Sequence, residues 1–353
     1  MPFLVYCMYF QAIPLSIQYY QIEVINISET APWTESGTST VNSSLSQPKV
    51  STIANIGTGT QTWLSNSAAS STPKQLCSDI SKNLVGQLDN LNVDLNDTLS
   101  LLNFTIIDQQ ALQIRIGGWW TPSACQARHH VAIIIPFRDR MEHLAILLQR
   151  LHTILQRQQL DYRIFVPEQA GVDIFNKARL MNIAYAYVRD HYPQYDCIVF
   201  HDVDMIPEND RNMYICGYNP RHLSPAVNEM NYTLPYDALI GGVLAVRPEI
   251  FVKINGYSNL YWGWGGEDDD LYYRMEAEKL KVERPSTDIG RYTMLVHKKR
   301  EAIPGKIRYK LVWSAKKRYK SDGLAQIRQL NYKILSMKEE LTYSRILVDL
   351  GKK

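Results

Sequence analysis

From about residue 125 onward, apolar and polar positions switch between two periods, and each switch marks an element. Val131 to Phe137 (VAIIIPF) is a β-branched run closed by proline and then charge, which predicts a buried strand. Leu144, Leu147, Leu148, Leu151 and Leu155 then recur at the spacing of a helix with one apolar face. A second strand is predicted over Tyr162 to Gln169, a second helix through Leu180, Ile183, Ala184, Tyr187 and Val188, and a third strand over Cys197 to Phe200. Strand, helix, strand, helix, strand predicts a parallel sheet with right-handed crossovers. In such sheets ligands bind beyond the carboxyl ends of the strands. Phe137-Arg138-Asp139-Arg140 and His201-Asp202-Val203-Asp204 both fall there, which places the candidate chemistry.

The pattern is missing before Cys77. Residues 1–22 contain no charged side chain, and a membrane span needs roughly 20 apolar residues. Gln11, Pro14, Gln18 and Gln21 dilute the stretch and no basic flank precedes it, so a buried N-terminal segment is the competing reading. Residues 26–74 are rich in Ser and Thr, with too little apolar surface to offset the entropy of ordering. The expected layout is a signal-anchor over 1–25, a flexible stem over 26–75 and a globular domain over 76–353. Receptors and adhesion proteins share that layout.

N-x-S/T sequons stand at Asn26, Asn42, Asn96, Asn103 and Asn231, and the clustering of four before residue 105 favours a lumenal chain. The cysteines are Cys7, Cys77, Cys125, Cys197 and Cys216; no pair has CxxC spacing, which argues against zinc. Four of them suffice for two disulfides in an oxidising compartment.

Composition adds limits. With 353 residues, 45% hydrophobic and 21% charged, the chain is ordinary globular material long enough for a sizeable core. A formal charge of +3, evenly spread, argues against nucleic acid, yet allows a local pocket for a nucleotide diphosphate.

Three constellations carry candidate chemistry. Asp202-Val203-Asp204 sets two carboxylates one residue apart at a strand end, where hard oxygens can hold Mg²⁺ or Mn²⁺ against a diphosphate. An acidic turn satisfying its own backbone reads the same way, so position is what strengthens the signal. Tyr261 to Asp270, YWGWGGEDDD, is richer. Acidic residues favour the first turn of a helix, and LYYRMEAEKL continues helically, but that leaves the tryptophans and glycines unexplained. Tryptophan faces suit sugar rings, glycines allow close approach or a hinge, and a carboxylate can take a proton from a sugar hydroxyl. Gly290 to His297, GRYTMLVH, offers His297 as a metal ligand, although a lone His is more often structural.

In order along the chain, PFRDR, FNKARLMN, HDVDMIP, LPYDALIGGV, INGYSNLYWGWGGEDDDLYYR, GRYTMLVH and SDGL closely resemble the β-1,4-galactosyltransferase family, from about Cys125 to Asp349. The resemblance implies a GT-A type α/β fold with a Rossmann-like, mostly parallel sheet flanked by helices. It implies an inverting, Mn²⁺-dependent transfer from a UDP-sugar to O4 of a terminal GlcNAc, by a single-pass type II Golgi membrane protein with its catalytic domain in the lumen. By motif, the metal ligands are Asp204, Met294 and His297. Asp268 is the general base, Glu267 supports the donor pocket, and Trp264 belongs to a small loop closing over the donor. Donor contacts map to Pro136, Phe137, Arg138, Arg140, Phe175, Lys177, Asp202, Val203 and Leu239. Acceptor contacts map to Tyr236, Asp268, Asp269, Arg308, Tyr309 and Val312. A longer loop, from about Leu295 to Trp313, closes to exclude water. The family pairs the cysteines as Cys197 with Cys216 and Cys77 with Cys125.

Departures from the family pattern refine the expectation. Leu239 stands where vertebrate members carry Tyr beside C2 of the donor sugar. A smaller aliphatic leaves room for an N-acetyl group, as in invertebrate members that use UDP-GalNAc, so GalNAc transfer is expected ahead of Gal transfer. Lys177 replaces an Arg, Tyr309 a Phe and His201 a Ser. Two other classes remain: a metal-dependent phosphohydrolase, in which the tryptophan-glycine loop has no role, and a stalked carbohydrate-binding protein without catalysis.

Overall fold

A computed structural model describes residues 74–88, 113–297 and 301–351 of the chain. The expected anchor, the stem up to residue 73, Cys7 and the sequons at Asn26, Asn42, Asn96 and Asn103 lie outside the described residues. Among the described residues no helix is long and apolar enough to cross a membrane.

A short strand β1 (Trp119–Trp120) precedes β2 (His130–Ile134), helix α1 (Met141–Arg157), β3 (Asp161–Gln169), α2 (Lys177–His191) and β4 (Cys197–His201). These match the predicted strand and helix order. Small strands β5 (Met205–Pro207), β6 (Arg221–His222) and β7 (Ala226–Val227) follow, then β8 (Val243–Val246) and α3 (Pro248–Lys253). Helix α4 (Glu267–Ala277), β9 (Arg291–Met294), α5 (Gly305–Arg318), β10 (Lys333–Glu339) and β11 (Ser344–Asp349) complete the domain.

The main sheet runs β10-β11-β3-β2-β4-β8-β6, with β1 paired to β3. Pairings β11–β3, β3–β2 and β2–β4 are parallel, whereas β10–β11, β1–β3, β4–β8 and β8–β6 are antiparallel. The sheet is therefore mixed, not mostly parallel as expected. Helical crossovers dictate parallel strands only at its centre, and the later short strands carry no periodicity long enough to reveal their direction.

Burial explains why β2 reads as an unbroken apolar run. Val131, Ile133 and Ile135 pack on the leucines of α1, while Ala132 and Ile134 pack on α2, with all five fully buried. A strand covered on both faces has no polar side to alternate with. Truncating one such isoleucine to Ala costs about 2–5 kcal/mol.

Both disulfides form as the family resemblance implied, Cys77–Cys125 with Cα atoms 5.0 Å apart and Cys197–Cys216 with Cα atoms 5.4 Å apart. The first fastens the segment 74–88 to the domain, helped by the backbone bonds Cys77 N to Gln126 O and Gln126 N to Gln75 O, both 2.9 Å. A second, three-stranded sheet, β5-β9-β7, lies beyond the end of β4 and sets Met205 opposite Met294.

Candidate active site

A cavity of ≈ 610 Å³ opens beyond the carboxyl ends of β2 and β4. That volume lies in the range of small-ligand sites. Its walls bring together nearly every predicted site residue: Pro136, Arg138, Arg140, Phe175, Lys177, Asp202, Val203, Asp204, Tyr236, Leu239, Trp264, Glu267, Asp268, Asp269, Met294, His297, Arg308 and Tyr309. Two predicted contacts fall elsewhere. Phe137 continues β2 by bridging to Glu168, which turns its ring into the core at 4% exposure. Val312, half-buried on α5, lies against Gly266, a lining residue, without lining the cavity itself.

One corner holds Asp204, His297 and Arg140. His297 Nε2 lies 2.7 Å from Asp204 Oδ2, and Arg140 donates from Nη1 to the same oxygen at 2.8 Å and from Nη2 to His297 Nδ1 at 3.0 Å. Burial alone would raise the Asp204 pKa, but the His297 hydrogen bond and the Arg140 charge hold it below the usual carboxylate value. Met294 reaches the same cavity from β9, which the bond from Leu295 N to Asp204 O, 2.8 Å, ties to the Asp204 turn. Neighbouring ligand atoms of one six-coordinate cation are roughly 3 Å apart. The carboxylate and imidazole are already at that separation, so with the Met294 thioether they fit a divalent cation. Among the described residues no cluster of three or more His, Cys, Asp or Glu gathers for a metal, because the third member of this set is a methionine.

Beside that corner, Lys177 Nζ lies 3.1 Å from Asp202 Oδ1 and 2.8 Å from Glu267 Oε1. Burial opposes its charge, yet Asp202 and Glu267 hold its pKa well above the usual value. Lys177 thus links the turn after β4 to the first residue of α4.

The glycines around Trp264 are there for backbone reasons. Gly263, Gly265 and Gly266 take φ of 113°, 101° and 93°, where side-chain-bearing residues are strained. This winding leaves Trp264 54% exposed at the cavity mouth. The loop is stitched to neighbours by Gly263 N to Phe175 O, 2.8 Å, and by bonds joining Trp264 to Glu301 and Ile303.

Helix α4 then delivers four acids in its first turn, where the helix dipole favours them. They divide by environment. Asp268 is partly buried at the cavity floor; burial, then the charge of Glu267, raises its pKa to about 7, against the lowering effect of Lys177. Asp269 bonds Tyr236, and burial raises its pKa too. Asp270 is fully buried and belongs to the scaffold, paired with Arg274 at 2.5 Å and with Arg318.

Comparison with known proteins gives the family of the chain. Residues 77–217 match the family described as the N-terminal region of glycosyl transferase group 7, and residues 221–298 match its partner, described as the N-terminal domain of galactosyltransferase. β-1,4-galactosyltransferase 4 of Cricetulus griseus is 41% identical over 275 residues, covering 77% of this chain and 76% of that protein. The chain belongs to the β-1,4-galactosyltransferase family.

β-1,4-galactosyltransferase 1 of Bos taurus is 42% identical over 279 residues, 78% of this chain and 66% of that protein. Among solved structures, the catalytic domain of Drosophila β-1,4-galactosyltransferase 7 with xylobiose superposes with a TM-score of 0.56 at 31% identity, covering 64% of this chain and 95% of that one. A mutant of the same Drosophila enzyme, in complex with manganese, UDP-Gal and xylobiose, gives 0.54 at 30% identity. These matches bear out the GT-A type α/β fold. This galactosyltransferase-family member is a UDP-sugar-dependent hexosyltransferase, which sets aside the phosphohydrolase and the non-catalytic sugar-binding protein.

The cavity also uses residues to which the sequence reading gave no role. Ser224, Pro225, Val227 and Met230 come from the stretch around β6 and β7, which has no periodic signal. Gly241 and Gly242 were visible in the family motif LPYDALIGGV, and Gly241 lies directly against Asp268.

Proposed function

We propose that this chain transfers galactose from UDP-galactose to the 4-hydroxyl of a terminal N-acetylglucosamine, with inversion at the anomeric carbon. The observation that carries the reading is the position of Asp268. It shares one cavity with Lys177, Asp202, Tyr236, Arg308 and Tyr309, feels the charges of Glu267, Lys177 and Asp269, and adjoins Asp269, which bonds Tyr236. A base there faces a donor on one flank and an acceptor on the other.

Asp204, Met294 and His297 would hold a Mn²⁺ ion, which would offset the negative charge that develops on the diphosphate. Arg138 and Arg140 add fixed positive charge on that side of the cavity. Tyr236, Tyr309 and Asp269 receive the acceptor, the rings against its apolar face and the carboxylate on its hydroxyls. The 4-hydroxyl oxygen bonds to the anomeric carbon as the bond from that carbon to the UDP oxygen breaks. The electron pair leaves with UDP, and the hydroxyl proton passes to Asp268. A carboxylate with a pKa near 7 is well matched to this task. Glu267, held by Lys177, supports the donor side, and Trp264 at the cavity mouth covers the site against water.

Support for galactose comes from the relatives, which are named as galactosyltransferases, and from the UDP-Gal in the Drosophila complex. A second reading, transfer of GalNAc, rests on Leu239: an aliphatic residue lines the cavity where a Tyr would crowd an N-acetyl group. Full-length protein, Mn²⁺ and a GlcNAc-terminated acceptor, offered UDP-Gal and UDP-GalNAc side by side, decide between them. Faster transfer from UDP-Gal upholds the first reading. Faster transfer from UDP-GalNAc, with a shift towards UDP-Gal in Leu239→Tyr, replaces it with the second. Transfer from neither overturns both.

The chain further reads as a type II Golgi membrane protein with an anchor over 1–25, a stem over 26–75 and a lumenal catalytic domain over 76–353. The two disulfides and the exposed sequon at Asn231 support a lumenal domain. Protease protection of the domain in intact Golgi vesicles is expected; digestion from the cytosolic side would refute the topology.

A further inference from the structure

β4 ends in His201, and the next residue opens the turn that carries Asp202 and Asp204. The His201 imidazole is bonded on both sides, Nδ1 at 2.9 Å from the Asp202 carbonyl and Nε2 at 2.9 Å from the Tyr214 hydroxyl. Tyr214 Oη lies 3.0 Å from Tyr292 Oη, which accepts from Asn212 Nδ2 at 3.4 Å. His201, Tyr214 and Tyr292 are fully buried and Asn212 is 1% exposed.

The chemistry of these groups fixes the direction of every bond. A carbonyl only accepts, so His201 carries its proton on Nδ1. Burial pushes the His201 pKa down to about 4, which leaves the ring neutral and Nε2 a bare acceptor. Tyr214 therefore donates to Nε2, and with its one proton committed it accepts from Tyr292. The chain runs one way, from Asn212 through Tyr292, Tyr214 and His201 to the Asp202 carbonyl. A shorter hydroxyl side chain at 201 would leave Tyr214 without that acceptor.

The two ends of the chain matter. His201 adjoins the Asp202–Asp204 turn, and Tyr292 lies in β9, the strand that carries Met294 and leads to His297. We propose that His201, as its Nδ1–H tautomer, is a positioning residue that braces the Asp204 turn against the strand bearing Met294, and so sets the affinity of that corner for a divalent cation. This inference rests on the metal role given to Asp204, Met294 and His297 above.

The test uses full-length protein and Mn²⁺ itself, with binding read by electron paramagnetic resonance without any sugar donor. In His201→Phe and Tyr214→Phe the Kd for Mn²⁺ is expected to rise about tenfold or more, as when groups that orient metal ligands are lost. The double variant should be no worse than the weaker single one. His201→Gln, which keeps one donor and one acceptor, should stay closer to wild type. Val199→Ala, a cavity in the same strand, controls for general destabilisation and should leave the Kd unchanged. On ¹⁵N-histidine-labelled protein, NMR should show Nδ1 protonated and Nε2 not. Wild-type affinity in both phenylalanine variants overturns the proposal, as does equal weakening by Val199→Ala or a proton on Nε2. Wild-type protein that takes up no Mn²⁺ instead overturns the metal reading of the proposed function, and this inference with it.

Discussion

A Cβ added to Gly241 would lie 2.5 Å from Asp268 Oδ2, so the absence of a side chain at 241 is what gives the carboxylate its place. Gly241→Ala pushes the proposed base aside without removing it. Misplacing a catalytic group by about 1 Å costs on the order of 10²-fold in rate. We expect kcat to fall by about that factor, with KM for the donor little changed. Unchanged kcat would mean that Asp268 is not positioned by this contact.

The raised pKa of Asp268 predicts two pH effects of opposite sense. In its proposed role as the base it must be ionised, so kcat/KM should climb through an acid limb near pH 7. For stability the sign reverses. A folded pKa above the unfolded value means that the native state binds more protons, so this group stabilises the fold at low pH. That contribution is lost as pH rises towards about 7. Asp268→Asn should therefore abolish turnover yet raise the thermal midpoint above pH 7, with no gain at pH 4. A midpoint difference that is independent of pH would contradict the assignment.

Lys177 connects both effects. It bridges Asp202 and Glu267 and lowers the Asp268 pKa. Lys177→Met leaves two carboxylates without their shared partner and should cost about 1–3 kcal/mol in denaturant unfolding at pH 7, since all three groups keep some solvent contact. It should also move the acid limb of kcat/KM to higher pH. An unmoved limb would show that Lys177 does not act on the base.

How far these relationships were legible in sequence depends on distance along the chain. The runs at Val131, Tyr162 and Cys197 announced the central strands, because burial on both faces writes a continuous apolar signal. Of the proposed metal corner, Asp204 and His297 were candidates by residue type and place, whereas Met294 was legible only by resemblance, since spacing gives no reason to choose it. Phe137 carried the right motif but packs into the core, which a motif cannot register. The antiparallel edges, the Gly241–Asp268 contact and the role of Asp270 were hidden, because each depends on partners far apart in sequence.

Asp270 leads to the last prediction. Within the EDDD run it looks like its neighbours, yet it accepts from Tyr261 at 2.9 Å and pairs with Arg274 and Arg318 out of contact with solvent. Arg274, also fully buried, donates from Nε to Asp270 at 2.5 Å and from Nη1 to the carbonyls of Gly256 at 3.1 Å and Asp322 at 2.7 Å. Its Nη2 lies 3.3 Å from Asp322 Oδ2, and Asp322 accepts from Ser258 at 2.5 Å. One guanidinium thus joins α4, the segment before the Trp264 loop and the segment that follows α5. Removing one partner of a buried pair leaves an uncompensated charge, which costs about 3–5 kcal/mol. Arg274→Met should lose that much in denaturant unfolding. Arg274→Lys should lose a substantial part of it, because an ammonium keeps the charge but cannot reproduce the planar fork. Both proteins, assayed well below their melting points, should keep near-normal KM values, since Arg274 is fully buried and does not line the cavity. A Lys variant as stable as wild type would show that charge alone holds this junction, and loss of activity without loss of stability would move Arg274 into the catalytic machinery.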